Sequence, residues 1–487
     1  MEAPAFCVTD VDLYEREVTL RLPFRFGAAT LTACPQAFVR ARVEVADGRG
    51  AQGAAAELMI PKWFDKSPYK SNADNIADLR TSLRNAVAAY TAAQRPRTAF
   101  GHFAAHYQPL IAEGEAAGLN PLIANYGPAL LDRAVLDALC RVLDLPFHAA
   151  LRANVPGIDT SLTPDLADVD LVRVCSRVRL FPSIAARHTV GLLDALTSSD
   201  GVGRVADGLP ETLEEVIALY GNRHFKLKLA GDPEADVARL ARIASVLERL
   251  PRYAVTLDGN EQYPDVASIA DFWQAVARTD SLARLAASTL YLEQPLPRAR
   301  ALDVDVFALA RVKPLLIDES DATLDAFPVA RARGYEGVSS KSCKGIYKSL
   351  LNAARCARWN SEASAPRHFL SAEDLTMQAG IAVQQDLALV GALGVTHVER
   401  NGHHYVDGFA GQGAHAAEQQ AFMAAHPGLY EFSHGSARLA VRGGRIDLTS
   451  LAAPGFASGA GPEWAALEPL RTATATASPC SVHQPGK

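Results

Sequence analysis

Five charged residues between positions 228 and 341 each close a short apolar run, and they recur at nearly regular intervals. Acids end the runs 254–258, 289–293 and 314–318, and lysines end the runs 225–228 and 338–341. From Lys228 to Lys341 the successive intervals are 30, 35, 25 and 23 residues. Each interval fits one strand–helix–strand unit, because a parallel crossover with its helix takes roughly 30 residues. The pattern predicts parallel strands of a (β/α) barrel with charges at their C-terminal ends, where barrel enzymes carry their active sites.

The remaining sequence predicts a second, smaller unit ahead of this barrel. At 487 residues the chain exceeds the roughly 250 residues of a typical barrel. Strand-like runs at 18–22 and 37–45 come first, and a helical pattern follows from about 73 to 151. The predicted fold class is therefore α/β, a modified TIM-type barrel of seven to eight βα units with an α+β capping domain.

We divide the chain into four parts on this basis. Residues 1–153 are predicted to form the cap, 183–430 the barrel, 431–470 a segment that returns to the cap, and 471–487 a disordered tail rich in small and polar residues. The segment 184–192 is the expected first barrel strand. Crossover helices are expected at 234–250, 347–359 and 377–393.

Overall charge and cysteine usage restrict the class of partner. The net charge of −6 is spread along the chain, which favours neither nucleic acid nor a membrane surface. The start of the chain lacks the basic and apolar layout of a signal peptide. Seven cysteines without a C-x-x-C pair fit reduced thiols in a cytoplasmic protein. We expect a homo-oligomer that acts on a small-molecule carboxylate.

The types of the charged residues indicate metal-assisted proton transfer. Lys226 and Lys228 are two residues apart, so in a strand both side chains point to the same side. Asp258, Glu293 and Asp318 on neighbouring strands would repel one another unless a cation joined them. Three carboxylates suit Mg²⁺, with Mn²⁺ as a substitute. Lys228 and Lys341, with Lys226 nearby, could then move the proton next to a substrate carboxylate through a metal-stabilised enediolate.

Each of these residues also has an ordinary structural explanation. A single acid after an apolar run is most often a loop residue or a helix N-cap, and a single lysine is most often solvated or ion-paired. The order and spacing of all five residues favour one common site, because five unrelated explanations would have to occur in sequence at βα intervals.

These residues resemble the enolase superfamily, in particular its muconate-lactonizing and dipeptide-epimerase branch (the mandelate racemase/muconate lactonizing enzyme family). The matching motifs are Lys-Leu-Lys at 226–228, Leu-Asp-Gly-Asn around Asp258, Glu-Gln-Pro at Glu293, Asp-Glu-Ser at Asp318 and the Lys341–Gly345 run. The resemblance implies Asp258, Glu293 and Asp318 as metal ligands and Lys228 and Lys341 as catalytic lysines, with Mg²⁺ as cofactor. The likeness extends from about residue 8 to 470.

Several further residues are candidates for substrate contact or for support of the site. They are Asn260, Glu319, Lys344, His188, Glu373, Asp374 and Glu399. The resemblance also implies a mobile lid at 23–32, and the segment 54–67 is predicted to be an unusually long loop over the site. His397 is a weaker candidate for substrate contact. His368 is interpreted as a core or edge residue, since Lys341 already provides the base that a catalytic His368 would supply.

The reaction type stays open at the level of sequence. Lysines on both faces of a substrate permit racemisation or epimerisation, and the same pair permits cycloisomerisation or a lyase-type elimination. A Schiff-base aldolase, with Lys228 or Lys341 as nucleophile, is the alternative among enzymes. A catalytically silent binding member of the family is the alternative outside them.

Overall fold

The computed structural model describes residues 3–27, 29–92, 95–200 and 203–471. The strands are β1 (Phe6–Phe26), β2 (Ala29–Val45), β3 (Gly50–Leu58), β4 (Ser183–Val190), β5 (His224–Lys228), β6 (Ala254–Asp258), β7 (Thr289–Glu293), β8 (Leu315–Ile317), β9 (Gly337–Ser340), β10 (Phe369–Ala372), β11 (His397–Arg400), β12 (Tyr430–Ser433), β13 (Ser436–Leu439), β14 (Arg445–Asp447) and β15 (Glu468–Pro469). Of the tail predicted at 471–487, residues 472–487 lie outside the described residues.

The helices alternate with the strands in the second half of the chain. They are α1 (Asn72–Ala92), α2 (Ala99–Ala116), α3 (Pro121–Ala124), α4 (Tyr126–Val142), α5 (Phe147–Arg152), α6 (Leu171–Cys175), α7 (Leu213–Tyr220), α8 (Pro233–Leu247), α9 (Val266–Arg278), α10 (Ala283–Ser288), α11 (Arg298–Ala301), α12 (Phe307–Ala310), α13 (Ala326–Ala332), α14 (Ile346–Glu362), α15 (Ile381–Ala392), α16 (Gly402–Tyr405) and α17 (Ala416–Ala425). None of the helices in these described ranges is long and apolar enough to cross a membrane.

Strands β4 to β11 form a closed parallel barrel. They pair in chain order, and β11 pairs back onto β4. Lys228 is in register with Asp258, and Asp258 is in register with Glu293. The predicted barrel is confirmed, with eight strands, and the three expected crossover helices correspond to α8, α14 and α15. The alternation of apolar strands and amphipathic helices predicts such a barrel, because both faces of a parallel sheet must be covered.

The cap is built on an antiparallel sheet in the order β15-β1-β2-β3, against which α4 packs. Gly53 of β3 permits this contact, because a Cβ atom there would lie 2.2 Å from the Ala134 carbonyl oxygen and the Ala138 nitrogen. Helix α15 joins cap and barrel: Gln385 donates a hydrogen bond to the Ala54 carbonyl at 2.7 Å. The cap is therefore tied to the barrel next to the strand ends.

Two predicted loops prove to be partly regular structure. Residues 50–58 form β3, so the loop predicted at 54–67 begins only after Leu58. The alanines of this segment hid the strand, since alanine has little preference for β structure. The lid predicted at 23–32 is largely the tip of the β1–β2 hairpin, with Phe24 paired to Leu31.

The C-terminal segment contacts both parts of the molecule. Strand β15 pairs with β1 of the cap, as the predicted return requires. Strand β14 instead pairs antiparallel with β4 and so extends the barrel sheet. The segment therefore holds the two sheets together.

Candidate functional site

The predicted charges meet at the C-terminal ends of the barrel strands. Strand alternation directs Lys226 and Lys228 to the interior, where Lys228 Nζ lies 2.6 Å from Asp258 Oδ2. On the other side of the acids, Lys341 Nζ lies 2.6 Å from Asp318 Oδ2. The side chains of the five predicted strand-end residues are all buried: Lys228, Asp258, Glu293, Asp318 and Lys341.

Three oxygen atoms at the ends of β6, β7 and β8 lack a hydrogen-bond partner among the described residues. Within the described ranges, Glu293 Oε2, Glu319 Oε2 and Asn260 Oδ1 are buried and have no hydrogen-bond partner. Burial and the charges of Asp258 and Glu373 raise the pKa of Glu293 well above its ordinary value. Such uncompensated oxygen atoms are what a hard cation requires, so the donor set fits Mg²⁺.

The acids are nevertheless not arranged around a common centre. Among the described residues, no group of three or more carboxylate, histidine or cysteine side chains is spaced to hold a metal ion. Lysine ammonium groups lie between the acids instead. A cation would have to displace the contacts of Lys226, Lys228 and Lys341 with these acids.

Lys226 has the most carboxylate neighbours of the predicted lysines. Its Nζ lies 2.9 Å from Asp258, 2.8 Å from Glu293, 2.7 Å from Glu373 and 3.0 Å from Glu399. Burial would lower the pKa of Lys226, but the four negative charges outweigh it and raise the pKa well above its ordinary value. An ammonium group has three donors, all used here, so Lys226 suits a fixed cation better than a base.

Each carboxylate oxygen of Asp374, after β10, and of Glu399, in β11, accepts a hydrogen bond. Glu399 accepts hydrogen bonds from Thr189 Oγ1 at 2.5 Å, from Lys226 Nζ and from the Asp374 backbone N–H at 2.8 Å. Asp374 accepts from the backbone N–H groups of Met377 and Asn401, both at 2.9 Å. Burial raises the pKa of Asp374 to about 6. These acids hold the loops after the last two strands in place.

Lys344 supports the acid at the end of β8. Its Nζ lies 3.3 Å from Asp318 Oδ1, 3.1 Å from Asp321 Oδ2 and 2.6 Å from Ser339 Oγ. Ser339 Oγ also donates to Asp318. Burial opposes the charge of Lys344, but the two aspartates outweigh this and raise its pKa.

The cap contributes two residues that were predicted only as part of a loop. The Trp63 ring lies 4.1 Å from Lys341 Nζ. Lys66 Nζ lies 2.5 Å from Glu261 and donates to the Asn260 carbonyl at 2.8 Å. Arg298 donates to the carbonyls of Trp63 and Phe64 at 2.8 and 2.9 Å. The loop after β3 thus forms one wall of the site and is anchored to the barrel.

Arg187 was missed by sequence reasoning. It is fully buried, pairs with Glu373 and donates to Tyr291 Oη at 2.6 Å and to His397 Nδ1 at 2.8 Å. Strand alternation explains the error, because Arg187 and Thr189 of β4 point inward. The predicted His188 points outward and packs against the rings of His403 and His404.

The other two histidines weighed as candidates, His397 and His368, lie away from the acids at the ends of β6–β8. His397 lies deeper in the barrel, where burial and the Arg187 charge lower its pKa to about 2. The His368 ring packs edge-on against Trp359, with ring centroids 5.1 Å apart, as a core residue would.

Comparison with solved structures identifies the fold. The fold and the charged strand ends define a (β/α)-barrel protein with an α+β cap, and solved structures of muconate lactonizing enzymes, a dipeptide epimerase and enolases share this fold. A muconate lactonizing enzyme from Pseudomonas fluorescens, complexed with muconolactone, matches with a TM-score of 0.57 at 16% identity over 93% of this chain and 96% of its own. No model of a known family and no curated protein matches the sequence.

Two further structures support the same assignment. A dipeptide epimerase from Enterococcus faecalis, complexed with Mg and the dipeptide L-Leu-L-Tyr, has a TM-score of 0.59 at 14% identity, covering 93% of this chain and 99% of its own. An enolase from Bradyrhizobium, complexed with magnesium and mandelic acid, has a TM-score of 0.56 at 16% identity, covering 96% and 98%. At these identities the likeness establishes the fold, and the activity has to be argued from the site.

Proposed function

We propose that the protein is a Mg²⁺-dependent isomerase that moves the proton next to the carboxylate of a small molecule, as a racemase or epimerase or as a cycloisomerase. The observation that supports this most is the position of two lysines on either side of a row of acids. Strands β5 and β9 are four apart in a closed ring of eight, so Lys228 and Lys341 approach the barrel axis from opposite sides.

We infer the cation site from the same row of acids. Mg²⁺, or Mn²⁺ in its place, would be held by Asp258, Glu293 and Asp318 and would offset the negative charge that develops on the substrate carboxylate. The unpaired Glu293 Oε2 supports this inference within the described chain. The three acids lie at the ends of adjacent strands, which supports a shared ligand set.

The two lysines would carry the proton. One Nζ removes the hydrogen from the α-carbon, and the protonated Nζ of the other lysine returns a hydrogen to the opposite face. Inversion at the α-carbon follows. In a cycloisomerase or an eliminating enzyme, one lysine moves the proton and the other stays a fixed cation. Lys226 takes neither part, because its donors are committed to carboxylates.

The proposal can be tested by exchange of the α-hydrogen in heavy water. The substrates are a library of N-acylamino acids, dipeptides and lactone-forming diacids, each supplied as single enantiomers. Lys228→Ala should abolish exchange from one enantiomer and Lys341→Ala from the other. Each loss should be at least about 10²- to 10⁴-fold, the usual contribution of a positioned general base. EDTA should stop exchange in the wild-type protein.

A matched control is Lys313→Ala, which removes a barrel lysine that precedes β8 at the opposite end of the strand. It should leave exchange within about twofold, since it removes no group near the acids. Exchange that survives both catalytic substitutions, or that ignores EDTA, would overturn the proposal. Trapping with borohydride would reveal the Schiff-base alternative.

A further inference from the structure

Glu373 and Asp374 follow β10, Glu399 lies in β11, and all three have little capacity left for a ligand. Glu373 Oε1 accepts hydrogen bonds from Arg187, Ser371 and Tyr291, and its Oε2 accepts from Lys226 at 2.7 Å. The side chain is fully buried. Each oxygen atom of this carboxylate therefore already has a donor.

The other two acids are committed in the same way. The oxygens of Glu399 are occupied by Thr189, Lys226 and the Asp374 backbone N–H. Those of Asp374 are occupied by backbone N–H groups of Met377 and Asn401. Most of these donors belong to backbone or to short side chains, which cannot move away when a ligand arrives.

Lys228 and Lys341, unlike Lys226, each have N–H donors that their carboxylate partner does not use. In the described structure, the carboxylate partner of Lys228 Nζ is Asp258, and that of Lys341 Nζ is Asp318. The second face of Lys341 is covered by the Trp63 ring. An ammonium group has three N–H donors, so each lysine can also bind an oxygen atom of a ligand.

We propose, on the basis of the proposed function, that the substrate is a carboxylic acid without an ammonium group, whose other substituents are neutral or anionic. An ammonium group placed against β10 and β11 would meet acids whose oxygen atoms already accept hydrogen bonds, beside the Lys226 and Arg187 charges. Burial of a cation without a partner is strongly unfavourable. Hydroxy acids, N-acylamino acids and diacids avoid this penalty.

The test uses matched compounds that differ only in the charge of one substituent. Suitable sets are phenylalanine, N-acetylphenylalanine and phenyllactate, the corresponding glutamate set, and leucyl-tyrosine with its N-acetyl form, all as single enantiomers with Mg²⁺. Two measurements are made on the wild-type protein. They are α-hydrogen exchange in heavy water and binding by ligand-detected NMR, which requires no turnover.

The exchange rate or the affinity of each neutral or anionic member should be at least about 100-fold higher than that of its ammonium counterpart. A site that leaves polar groups unpaired discriminates on this scale or above it. A set in which the ammonium member is preferred would overturn the inference, and so would failure of every neutral and anionic member to bind. Binding with this preference but without exchange would keep the inference and overturn the proposed function.

A substitution separates charge selection from general damage. Thr189→Val removes the hydroxyl donor from Glu399 Oε1 and leaves that oxygen with Asn401 Nδ2 at 3.5 Å. The ratio of ammonium to neutral ligand affinity should rise about tenfold, the value of one hydrogen bond to a charged group. Thr256→Val is the control, since Thr256 Oγ1 is buried in β6 without a hydrogen-bond partner in the described chain. An unchanged ratio in Thr189→Val, or an equal rise in Thr256→Val, would contradict the inference.

Discussion

The acids at the ends of β6–β8 (Asp258, Glu293, Asp318 and Glu319) are as deeply buried as those at the ends of β10 and β11 (Glu373, Asp374 and Glu399). They differ in their partners. The first group is contacted mainly by flexible lysines, and two of its oxygens have no partner in the described ranges. The second group shares Lys226 with the first but is otherwise held by backbone N–H groups, Arg187 and short hydroxyl side chains. We therefore propose that equally buried acids have two roles, ligand binding in the first group and loop positioning in the second.

The largest expected effect comes from removing Arg187, a cation that pairs with the acids at the ends of β10 and β11. Arg187→Met should cost about 3–5 kcal/mol of stability, because it leaves Glu373 buried beside the other acids with one cation fewer. Chemical unfolding would measure the loss. The control is Arg49→Met, which breaks an exposed ion pair with Asp47 and should leave the melting temperature unchanged. Equal stability of Arg187→Met and wild type would refute the structural role of the β10–β11 acids.

A substitution among the acids at the ends of β6–β8 should weaken Mg²⁺ binding without reducing the stability of the fold. Glu293→Gln should weaken Mg²⁺ binding more than about 100-fold, since even residues that only orient ligands are worth roughly 10- to 100-fold. Stability should stay the same or rise, because the carboxylate is buried with an unpartnered oxygen. Calorimetric titration with Mg²⁺ is the measurement. Glu399→Gln, among the acids at the ends of β10 and β11, should keep its affinity for Mg²⁺ within a few-fold.

The identity of the third ligand sharpens the comparison within the β6–β8 group. Glu319 keeps an unpaired Oε2, but it lies beside Asn260 and Lys66, whereas Asp318 lies beside Lys341. Asp318→Asn should therefore reduce Mg²⁺ affinity at least about tenfold more than Glu319→Gln, as loss of a ligand exceeds loss of a supporting residue. The reverse order of the two affinities would assign the ligand role to Glu319.

The smallest expected effect is a difference in acid sensitivity. Burial opposes the charge of Glu373, but Arg187 and Lys226 outweigh it and hold its pKa below the ordinary value of 4.5. The folded protein thus keeps this carboxylate charged at pH values where the unfolded chain takes up a proton. Its contribution to stability is complete above pH 4.5 and declines as the pH falls, by about 1.4 kcal/mol for each pH unit at most. The fall in melting temperature between pH 5 and pH 3 should be steeper in wild type than in Glu373→Gln. Parallel curves would show that Glu373 does not titrate differently in the two states.

The sequence by itself determined the barrel and the residues at its strand ends. Apolar runs that end in a charge at βα intervals have few other solutions, and their spacing is a local property. Lys228, Asp258, Glu293, Asp318 and Lys341 were all found in this way. The cap strand β3 was missed because its alanines carry no strong preference. His188 was chosen over Arg187 because the inward direction of β4 cannot be read from a strand buried on both faces.

Only the tertiary structure decided which charges are paired. The four carboxylates around Lys226 come from β6, β7 and the ends of β10 and β11, up to 173 positions away in the chain. Likewise, the ring over Lys341 comes from the cap. A hydrogen bond depends on distances of a few tenths of an ångström between such distant segments, and no local pattern encodes them. The sequence therefore specified which charged groups are present, and packing specified which of them keep a free oxygen or donor for a ligand.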